Sequence, residues 1–320
     1  MPAIKHNPIS RLRLLMYFGT AIEREPAGAQ PPYPIIMDAR SPLFGSAPPR
    51  GSRVPRVHIT SRSNPLIKDI RRAVRRGEAT EDGLAIAESP RLLEEAVRSG
   101  IPVVATLLAE SAGPAVEALA GRVAPGFHTI PDKLFAELSS TENSQGLIAL
   151  VRVPRYEWSE LLGSAKRIVI LDGIQDPGNA GAIVRSAEAF GVGGVIFGRG
   201  SVSPVNPKTL RASAGSLFRI PTVRGGAAER VIESLRTANL PLFAATAHDG
   251  KPLGEVDLTR SAVIIGSEAH GIGPEYLAAA TPIHIPVQGV ESLNAAAAAT
   301  VIFYAASRCN NEGPWLDRNP

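Results

Sequence analysis

The sequence predicts an α/β protein with two parts: a small N-terminal α/β domain, residues 57–155, and a larger domain, residues 160–310, built on a parallel sheet. Three observations support this fold class. From residue 167 onward, short apolar runs alternate with segments of helical periodicity, and such alternation is typical of parallel strands covered by helices on both faces. Polar segments that contain glycine follow several of the apolar runs. Strand and helix patterns also occur, on a smaller scale, before residue 155.

The composition is that of an ordinary globular protein. The 320 residues leave room for two domains and a tail, and 44% of them are hydrophobic and 20% charged. The single cysteine, Cys309, excludes an internal disulfide framework. No apolar run approaches the roughly 20 residues that a membrane helix needs, and no cluster of His, Cys, Asp and Glu has metal-ligand spacing. We therefore expect a cytoplasmic protein with no metal site and no membrane contact.

The charged residues are distributed unevenly. Residues 1–76 contain 14 basic residues against 4 acidic ones, although the net charge of the whole chain is only +4. Residues 1–56 also hold 10 of the 28 prolines, and proline removes backbone donors and blocks regular structure. We predict a disordered, Pro-rich basic arm over residues 1–56. The basic N-terminal end indicates contact with a polyanion, and a solvated basic surface is the alternative.

The smaller domain is expected to begin with a helix that has one basic side. Ile67, Ile70 and Val74 recur at i, i+3 and i+7, which indicates a buried face. The other side is lined by four arginines: Arg71, Arg72, Arg75 and Arg76. The following elements are predicted in the order strand 84–87, helix 90–98, strand 101–109, a helix around 116–119 and strand 147–153.

The larger domain is expected after a short connector, residues 155–166. Strands are predicted at 168–172, 194–197, 241–246, 262–266 and 283–286. Helices are predicted at 180–190, 207–218, 227–238, 274–279 and 293–307. Alanine favours the last helix, and Ser292 is its expected N-cap. Because ligands of parallel sheets collect beyond the carboxyl ends of the strands, the polar segments that follow these strands should meet there. Residues 311–320 are left as a tail.

Three of these polar segments form a set of motifs. The first contains Asn179, Gly181 and Arg185; the second Gly266, Ser267, Glu268 and Gly271; the third Ile285, Pro286, Ser292, Leu293 and Asn294. The first segment is neither a Walker loop nor a dinucleotide fingerprint, because it lacks Gly-Lys-Ser/Thr and the G-x-G-x-x-G order. In their order and spacing the three motifs closely resemble those of the SpoU family of RNA ribose 2′-O-methyltransferases, within the SPOUT superfamily. The resemblance covers roughly residues 58–308.

The resemblance implies a cofactor and a site that periodicity does not show. SPOUT domains have a deep trefoil knot and hold S-adenosyl-L-methionine in a bent form. The matching cofactor positions are Thr246, Gly266, Ile285 and Leu293. The matching catalytic positions are Arg185, Asn179, Ser292, Asn294 and Glu268. Arg185 would orient the target hydroxyl and a nearby phosphate, and a salt bridge to Glu188 is the alternative from sequence alone. Glu268 would either bind an RNA sugar or lock the fold.

The resemblance also implies RNA as a partner and a homodimer. Residues 57–155 are similar to the family's N-terminal substrate-binding domain, which has a fold like certain ribosomal proteins. One departure is Glu88-Ser89, where the family usually has Glu-Gly, and this puts the local turn in doubt. The expected RNA contacts are Arg62, Lys68, Arg71, Arg72, Lys208 and Arg211, and solvated charges are the alternative. SPOUT domains pair, which predicts a homodimer through residues 160–310.

Two other functions remain open. A transfer-RNA 2′-O-methyltransferase would use the same motifs, although the separate N-terminal domain favours ribosomal RNA in this family. A catalytically silent RNA-binding or ribosome-assembly factor would be expected to lose Arg185 or the trio Ser292, Leu293 and Asn294, and this chain keeps all four residues. The leading prediction is therefore methyl transfer to a ribose of ribosomal RNA.

Overall fold

A computed structural model describes residues 56–123 and 127–308 of the chain. Of the predicted arm, residues 1–56, only Arg56 lies inside these ranges, and the predicted tail, residues 311–320, lies outside them. Within the ranges, no helix is long and apolar enough to cross a membrane. Two sheets organise the described residues, one in each half of the chain.

The first half forms a mixed five-stranded sheet. Its strands are β1 (Arg56–His58), β2 (Ala85–Glu88), β3 (Val103–Ala109), β4 (Phe127–Ile130) and β5 (Leu147–Val151). They lie in the order β1-β4-β3-β5-β2, and β5 runs antiparallel to both of its neighbours. Its helices are α1 (Pro65–Arg76), α2 (Pro90–Arg98), α3 (Pro114–Val123) and α4 (Asp132–Leu138). The sequence analysis missed β1, β4 and α4 because such short segments carry little periodicity.

Ser89 adopts a backbone conformation that favours glycine. Its φ of 128° and ψ of 150° fall in a region that costs a residue with a side chain about 1–3 kcal/mol. Its hydroxyl accepts a hydrogen bond of 3.2 Å from the backbone N–H of Leu92 and so caps α2. The doubtful turn at Glu88-Ser89 is therefore formed, and the cap offsets part of the backbone strain.

The second half forms a seven-stranded sheet in which every neighbouring pair is parallel. Its strands are β6 (Arg167–Asp172), β7 (Gly194–Phe197), β8 (Thr222–Arg224), β9 (Leu242–Thr246), β10 (Lys251–Pro252), β11 (Ser261–Gly266) and β12 (Thr281–His284). Their order is β10-β12-β9-β11-β6-β7-β8. The helices are α5 (Trp158–Ser164), α6 (Pro177–Ala189), α7 (Pro207–Ala212), α8 (Ala228–Thr237), α9 (Pro274–Ala279) and α10 (Ala295–Arg308). The predicted parallel sheet is confirmed.

Alternate residues of the central strands face opposite helical layers. On β6, Val169 and Leu171 pack into the same apolar cluster as α6 and α10. Ile168 and Ile170 pack into a second cluster with α5, α8 and Tyr276 of α9. The period of two expected of a strand thus places helices on both faces of the sheet. Ser186 of α6 and Thr300 of α10 also join their helices, with hydroxyl oxygens 2.7 Å apart.

Three predicted segments are corrected. The connector at residues 155–166 contains α5. The predicted helix 207–218 ends at Ala212, because Ala214 and Gly215 have φ values of 49° and 90° that no α-helix continues through. The predicted strand 283–286 ends at His284, so Ile285 and Pro286 belong to the following loop. The trefoil knot stays a prediction.

Ion pairs join the two halves, and the first half supplies the acid in each of them. Glu78 lies 3.1 Å from Arg224, and Glu95 lies 3.0 Å from Arg219. The Arg219 guanidinium also pairs with Glu188 of α6 at 2.5 Å. Glu188, which the sequence offered as a partner for Arg185, is therefore engaged elsewhere.

Candidate active site

A cavity of about 250 Å³ lies at the carboxyl ends of β9 and β11, against the loop that follows β12 and the start of α10. Its walls include the four residues matched to cofactor binding: Thr246, Gly266, Ile285 and Leu293. Further apolar surface comes from Ile265 and Ile302, while Ser292 and Glu268 add polar groups. The four cofactor positions, which are separated by up to 47 residues along the chain, are thus brought to one place.

Gly266 is needed for a reason that the sequence did not suggest. A Cβ at this position would lie 2.4 Å from the carbonyl group of Gly271 and 2.6 Å from the nitrogen of Ile272. The chain folds back here, because Ser267 and Gly271 exchange two backbone hydrogen bonds of 3.1 and 2.8 Å. Gly266 therefore permits the tight loop that carries Glu268.

The side chain of Thr246 serves the backbone around it. Its hydroxyl lies 2.5 Å from the carbonyl oxygen of Asp249 and 3.2 Å from that of Ile283. These contacts tie the loop after β9 to β12. The hydroxyl is therefore occupied, and Thr246 presents mainly backbone and apolar surface to the cavity.

Asn179, Glu268 and Asn294 form a hydrogen-bonded triangle. The Asn294 amide donates to Asn179 Oδ1 at 3.1 Å and to Glu268 Oε1 at 2.5 Å. The Asn179 amide donates to the same Glu268 oxygen at 3.2 Å. Each of the three sequence motifs contributes one corner. Ser292 and Glu268 line the cavity, so the triangle stands at its edge.

The predicted N-cap of the last helix is wrong. The helix begins at Ala295, and the side chain of Asn294 accepts from the backbone N–H groups of Ala296 and Ala297 at 2.9 and 3.3 Å. Ser292 lies two residues earlier, in the loop. The prediction failed because both residues are good caps, and only the fold decides where the helix begins. Asn294 thus joins the triangle and caps α10 at once.

Arg185 lies exposed on α6. Within the described residues its guanidinium has no hydrogen bond or ion pair, because the alternative partner, Glu188, is held by Arg219. It follows Asn179 by six residues, about 9 Å along a helix axis. The structure therefore places Arg185 near the triangle but does not bring it into the cavity.

The cations on α1, together with Arg62 just before it, divide into paired and unpaired ones. Arg62 and Arg71 share Glu137, the second at 3.0 Å. Arg72 pairs with Asp69 at 2.8 Å and with Glu81 at 2.5 Å, and the hydrogen bonds that it donates to these carboxylates raise its pKa. Three further cations have no ion-pair partner in the described ranges: Lys68, Arg75 and Arg76. Together with Arg71 and Arg72 they line a groove of about 430 Å³.

Arg211 is half-buried and contacts other residues of the chain, whereas Lys208 is exposed. The Arg211 guanidinium lies 3.1 Å from the Ser140 hydroxyl and 3.8 Å from the buried carboxylate of Glu88. Burial opposes ionisation of Glu88. Hydrogen bonds from the hydroxyls of Ser139, Ser140 and Thr141 and from the Ser140 backbone outweigh it and lower the pKa. A charged Glu88 thus holds the loop after α4 and faces Arg211.

Two acidic residues of the site were missed. Asp172, at the end of β6, accepts a hydrogen bond of 2.8 Å from the backbone N–H of Gly273 and so anchors the second motif's loop. Asp176 caps α6 by accepting from the Asn179 N–H at 2.7 Å. The cap could have been recognised from Asp176-Pro177 before a helical run, but the contact of Asp172 depends on the fold. Among the described residues, no group of three or more His, Cys, Asp or Glu is placed to hold a metal.

Comparison with known families agrees with this geometry. The SpoU rRNA Methylase family matches residues 166–304, and the MRM3-like substrate binding domain matches residues 64–149. The chain is 30% identical to the 23S rRNA (guanosine(2553)-2′-O)-methyltransferase RlmP of Bacillus subtilis. The alignment spans 249 residues and covers 77% of this chain and 97% of that protein. It is also 32% identical to an uncharacterized tRNA/rRNA methyltransferase of Synechocystis, over 78% of this chain and 93% of that protein.

Solved structures of RNA methyltransferases are also similar to this chain. The crystal structure of an RNA 2′-O ribose methyltransferase is 30% identical, has a TM-score of 0.66, and covers 79% of this chain and 99% of that one. An AdoMet-bound rRNA methyltransferase from Sinorhizobium meliloti is 26% identical, with a TM-score of 0.64, over 81% of this chain and 99% of that one. These matches span both sheets rather than the larger one alone.

Proposed function

The chain belongs to the SpoU rRNA methylase family, and on that basis we propose that it transfers a methyl group from S-adenosylmethionine to a ribose 2′-hydroxyl of ribosomal RNA. Members of this family are RNA 2′-O-methyltransferases. The observation that carries the proposal is the meeting of three motifs. One residue from each, Asn179, Glu268 and Asn294, joins the hydrogen-bonded triangle. All four expected cofactor positions line the neighbouring cavity.

The residues of the cavity fit S-adenosylmethionine. Apolar side chains of Ile265, Ile285 and Leu293 suit the flat adenine ring, and the backbone at the ends of β9 and β11 offers donors and acceptors for its edge. When bound, this group supplies a methyl that its sulfonium already activates. The protein is then left with positioning, since proximity and orientation account for much of the rate of such transfers.

The triangle and Arg185 divide the positioning between them. The contacts of Glu268 favour its structural role, because two side-chain amides occupy one of its oxygens. Asn294 braces the loops with all of its polar atoms, while the second N–H of the Asn179 amide and the Ser292 hydroxyl remain for the ribose. The Arg185 guanidinium has no partner among the residues that the structure describes, and it suits a phosphate and the target hydroxyl. A guanidinium keeps its proton in proteins and is a poor base, so Arg185 orients the hydroxyl rather than taking its proton.

RNA docks on the smaller domain in this proposal. The unpaired cations Lys68, Arg75 and Arg76 lie on one side of α1, where phosphates can reach them. The relative from Bacillus subtilis acts on 23S ribosomal RNA, and the match to a substrate binding domain covers most of residues 57–155. We keep 57–155 and 160–310 as the RNA-docking and methyl-transfer domains. We propose that the protein acts on ribosomal RNA in the cytoplasm.

We also propose a homodimer through residues 160–310. The outer side of α10 leaves Val301 37% and Tyr304 49% exposed. Tyr304 packs edge-to-face on Phe190, with ring centroids 5.7 Å apart. An exposed aromatic and aliphatic stripe on a helix suits a second copy of the chain. Light scattering at micromolar concentration should give twice the mass of the chain, and a monomer would contradict the dimer.

Mapping of 2′-O-methyl groups in total RNA, with and without the gene, tests the proposed function. We expect one or a few ribosomal RNA sites to disappear with the gene and to return with the wild-type copy. Sites in transfer RNA alone would favour the second candidate of the family. An unchanged map would favour a silent RNA-binding factor, against which the retained motifs argue.

A further inference from the structure

A second cavity of about 250 Å³ lies on the other side of the second motif's loop. It is lined by the end of β6, the turns after β7 and β8, and the starts of α8 and α9. The strand order reverses between β6 and β11, since β7 and β8 lie on one side of β6 and β9, β10 and β12 lie beyond β11. Such a switch point is where parallel sheets commonly bind ligands. The methyl-donor cavity lies to one side of it.

A buried hydroxyl without a partner marks this cavity. Tyr276 lines it, is only 2% exposed, and has no hydrogen-bond partner for its hydroxyl among the described residues. Burial of such a group costs about 1–3 kcal/mol unless something satisfies it. Burial first, and then the charges of Asp172, Glu229 and Glu275, raise the pKa of Tyr276, so the hydroxyl keeps its proton. The unsatisfied hydroxyl indicates a polar ligand.

Carboxylates dominate one wall of the cavity. A Cβ on Gly273 would lie 3.3 Å from an oxygen of Asp172 and 3.4 Å from an oxygen of Glu275, so the two carboxylates approach the same point. Asp172 already accepts from the Gly273 N–H, whereas Glu275 has no hydrogen bond or ion pair within the described ranges. An ionised carboxylate only accepts hydrogen bonds. The ligand must therefore present adjacent N–H groups.

The start of α8 and Arg199 form a part of the lining that holds donors, and Glu229 of α8 adds a third carboxylate there. The N-cap of α8 is Ala227, which has no side chain to cap the helix, so the first N–H groups of this ten-residue helix are left for a ligand. Arg199 is exposed and unpaired in the described part of the chain, and it lines the same cavity. These donors suit an oxygen acceptor. The ligand thus needs two neighbouring donors on one edge and an acceptor beside them.

Guanine has this arrangement on its Watson–Crick edge. Its N1–H and N2 amino group point the same way, and O6 lies next to them. Adenine, cytosine and uracil each place at least one acceptor where the carboxylates lie, and two facing acceptors repel. Enzymes that act on unpaired nucleotides read such edges with hydrogen bonds. From the partnerless Tyr276, the two converging carboxylates and the uncapped helix, we infer that this cavity binds a guanine base.

The position of the cavity connects it with methyl transfer, and this step rests on the proposed function. Gly271 lines the methyl-donor cavity and Gly273 lines the second one. Two residues of extended chain span at most about 7 Å, which is within the reach of one nucleotide. A ribose held beside Glu268 can therefore place its base in the second cavity. The cavity selects guanosine as the methylated nucleotide, or a guanosine next to it.

The test combines nucleotide binding with base-modified RNA. GMP, AMP, CMP and UMP are titrated into the full chain by ligand-observed NMR, and we expect saturable binding of GMP alone. Glu275→Gln should weaken GMP at least about tenfold, as for a hydrogen bond to a charged group. Tyr276→Phe should weaken it about two- to tenfold without lowering Tm. Glu233→Gln, on the solvent side of α8, should leave GMP binding unchanged.

The RNA arm separates the two sources of guanine. Inosine, which lacks the N2 amino group, replaces guanosine at and beside the mapped methylation site. A loss of turnover in the wild type that disappears in Glu275→Gln identifies the RNA base as the ligand. GMP binding without an inosine effect identifies a free guanine nucleotide instead. Methyl transfer with neither GMP binding nor an inosine effect overturns the inference and leaves the proposed function standing. If methyl transfer itself is absent, the proposed function fails, and the GMP titration alone decides whether the second cavity binds guanine.

Discussion

Asn294 donates a hydrogen bond of 3.1 Å to Asn179 across 115 residues of sequence. The same side chain caps α10 through the backbone N–H of Ala296. One residue therefore fixes the start of the last helix and ties the third motif to the first. Its loss should be felt in stability and in turnover together.

Asn294→Ala is expected to lower both the melting temperature and methyl transfer. Loss of the cap costs about 1 kcal/mol, which corresponds to about 2–4 °C for a chain of this size, and Glu268 loses its shortest contact. Ser292→Ala is the matched control, because Ser292 makes no hydrogen bond within the described residues and should leave the melting temperature unchanged. Calorimetry distinguishes them. Equal melting temperatures for the two variants would mean that Asn294 does not cap the helix.

Ser89→Gly is expected to stabilise the protein. Glycine adopts the φ of 128° freely, so the change relieves about 1–3 kcal/mol of strain and loses only a few tenths of a kcal/mol as a cap. Ser89→Ala keeps the strain and loses the hydroxyl, so it should destabilise by about 1 kcal/mol. Urea denaturation of the two variants decides the matter. Variants that shift stability in the same direction would contradict a strained turn.

The elements with strong periodicity were predictable from the sequence. The predicted bounds of α2, β7 and α9 are those observed, because a capping or proline residue begins each helix and glycine precedes an apolar run in β7. β8 and β10 were not predictable, since three and two residues carry no period. Their places depend on the neighbouring strands to which they bond.

The residues of the site were predictable as a set, but their contacts were not. The motifs named Asn179, Glu268 and Asn294, while the triangle that they form joins residues up to 115 positions apart. Arg211 is a similar case. It was predicted to contact RNA, but its hydrogen bond to Ser140, 71 positions away, could not be predicted from the sequence. Sequence spacing records neither distance, because both depend on how the sheets pack.

Stability is expected to fall as the pH drops below about 6.5, the ordinary pKa of histidine. His128 is 6% exposed, and burial lowers its pKa. At a pH between the two pKa values, His128 binds a proton in the unfolded chain but not in the folded chain. The free energy of unfolding therefore decreases as the pH falls from the ordinary pKa toward the lower pKa of the folded state. One proton gives a slope of at most about 1.4 kcal/mol per pH unit.

Denaturant titrations at several pH values between about 7.5 and 5.5 measure that slope. His128→Leu should flatten the pH dependence, whatever it does to stability at neutral pH. His248→Gln is the control, because His248 is exposed and makes no hydrogen bond or ion pair in the described ranges. If the wild type and His128→Leu have the same slope, the proton is taken up elsewhere.

Reversal of the unpaired cations on α1 is expected to weaken RNA binding. Lys68→Glu, Arg75→Glu and Arg76→Glu remove charges that no acid of the described chain neutralises. Each lost phosphate contact should lower the slope of log affinity against log salt by about 0.7–0.9. Reversal of Arg91, Arg152 and Arg230, three exposed cations elsewhere, changes the net charge equally and should alter the slope less. Filter binding over a range of salt tests this. Equal effects of the two triple variants on the slope would mean that α1 is not the docking surface.

Arg185→Ala is expected to abolish turnover and to leave the affinity for S-adenosylmethionine nearly unchanged. Arg185 is exposed and does not line the cavity that holds the cofactor positions. Its loss therefore removes the group that orients the hydroxyl and nothing that binds the methyl donor. Calorimetric titration with S-adenosylmethionine gives the affinity, and single-turnover transfer at saturating RNA gives the rate. Wild-type turnover in this variant would exclude Arg185 from the reaction.

The most direct test of the central claim is transfer of a labelled methyl group by the purified protein to ribosomal RNA, with the modified nucleotide identified by mass spectrometry. We expect label on a ribose 2′-oxygen, no label when the same nucleotide is 2′-deoxy, and no label with Arg185→Ala. Label on a base, or the same label on the 2′-deoxy substrate, would contradict it.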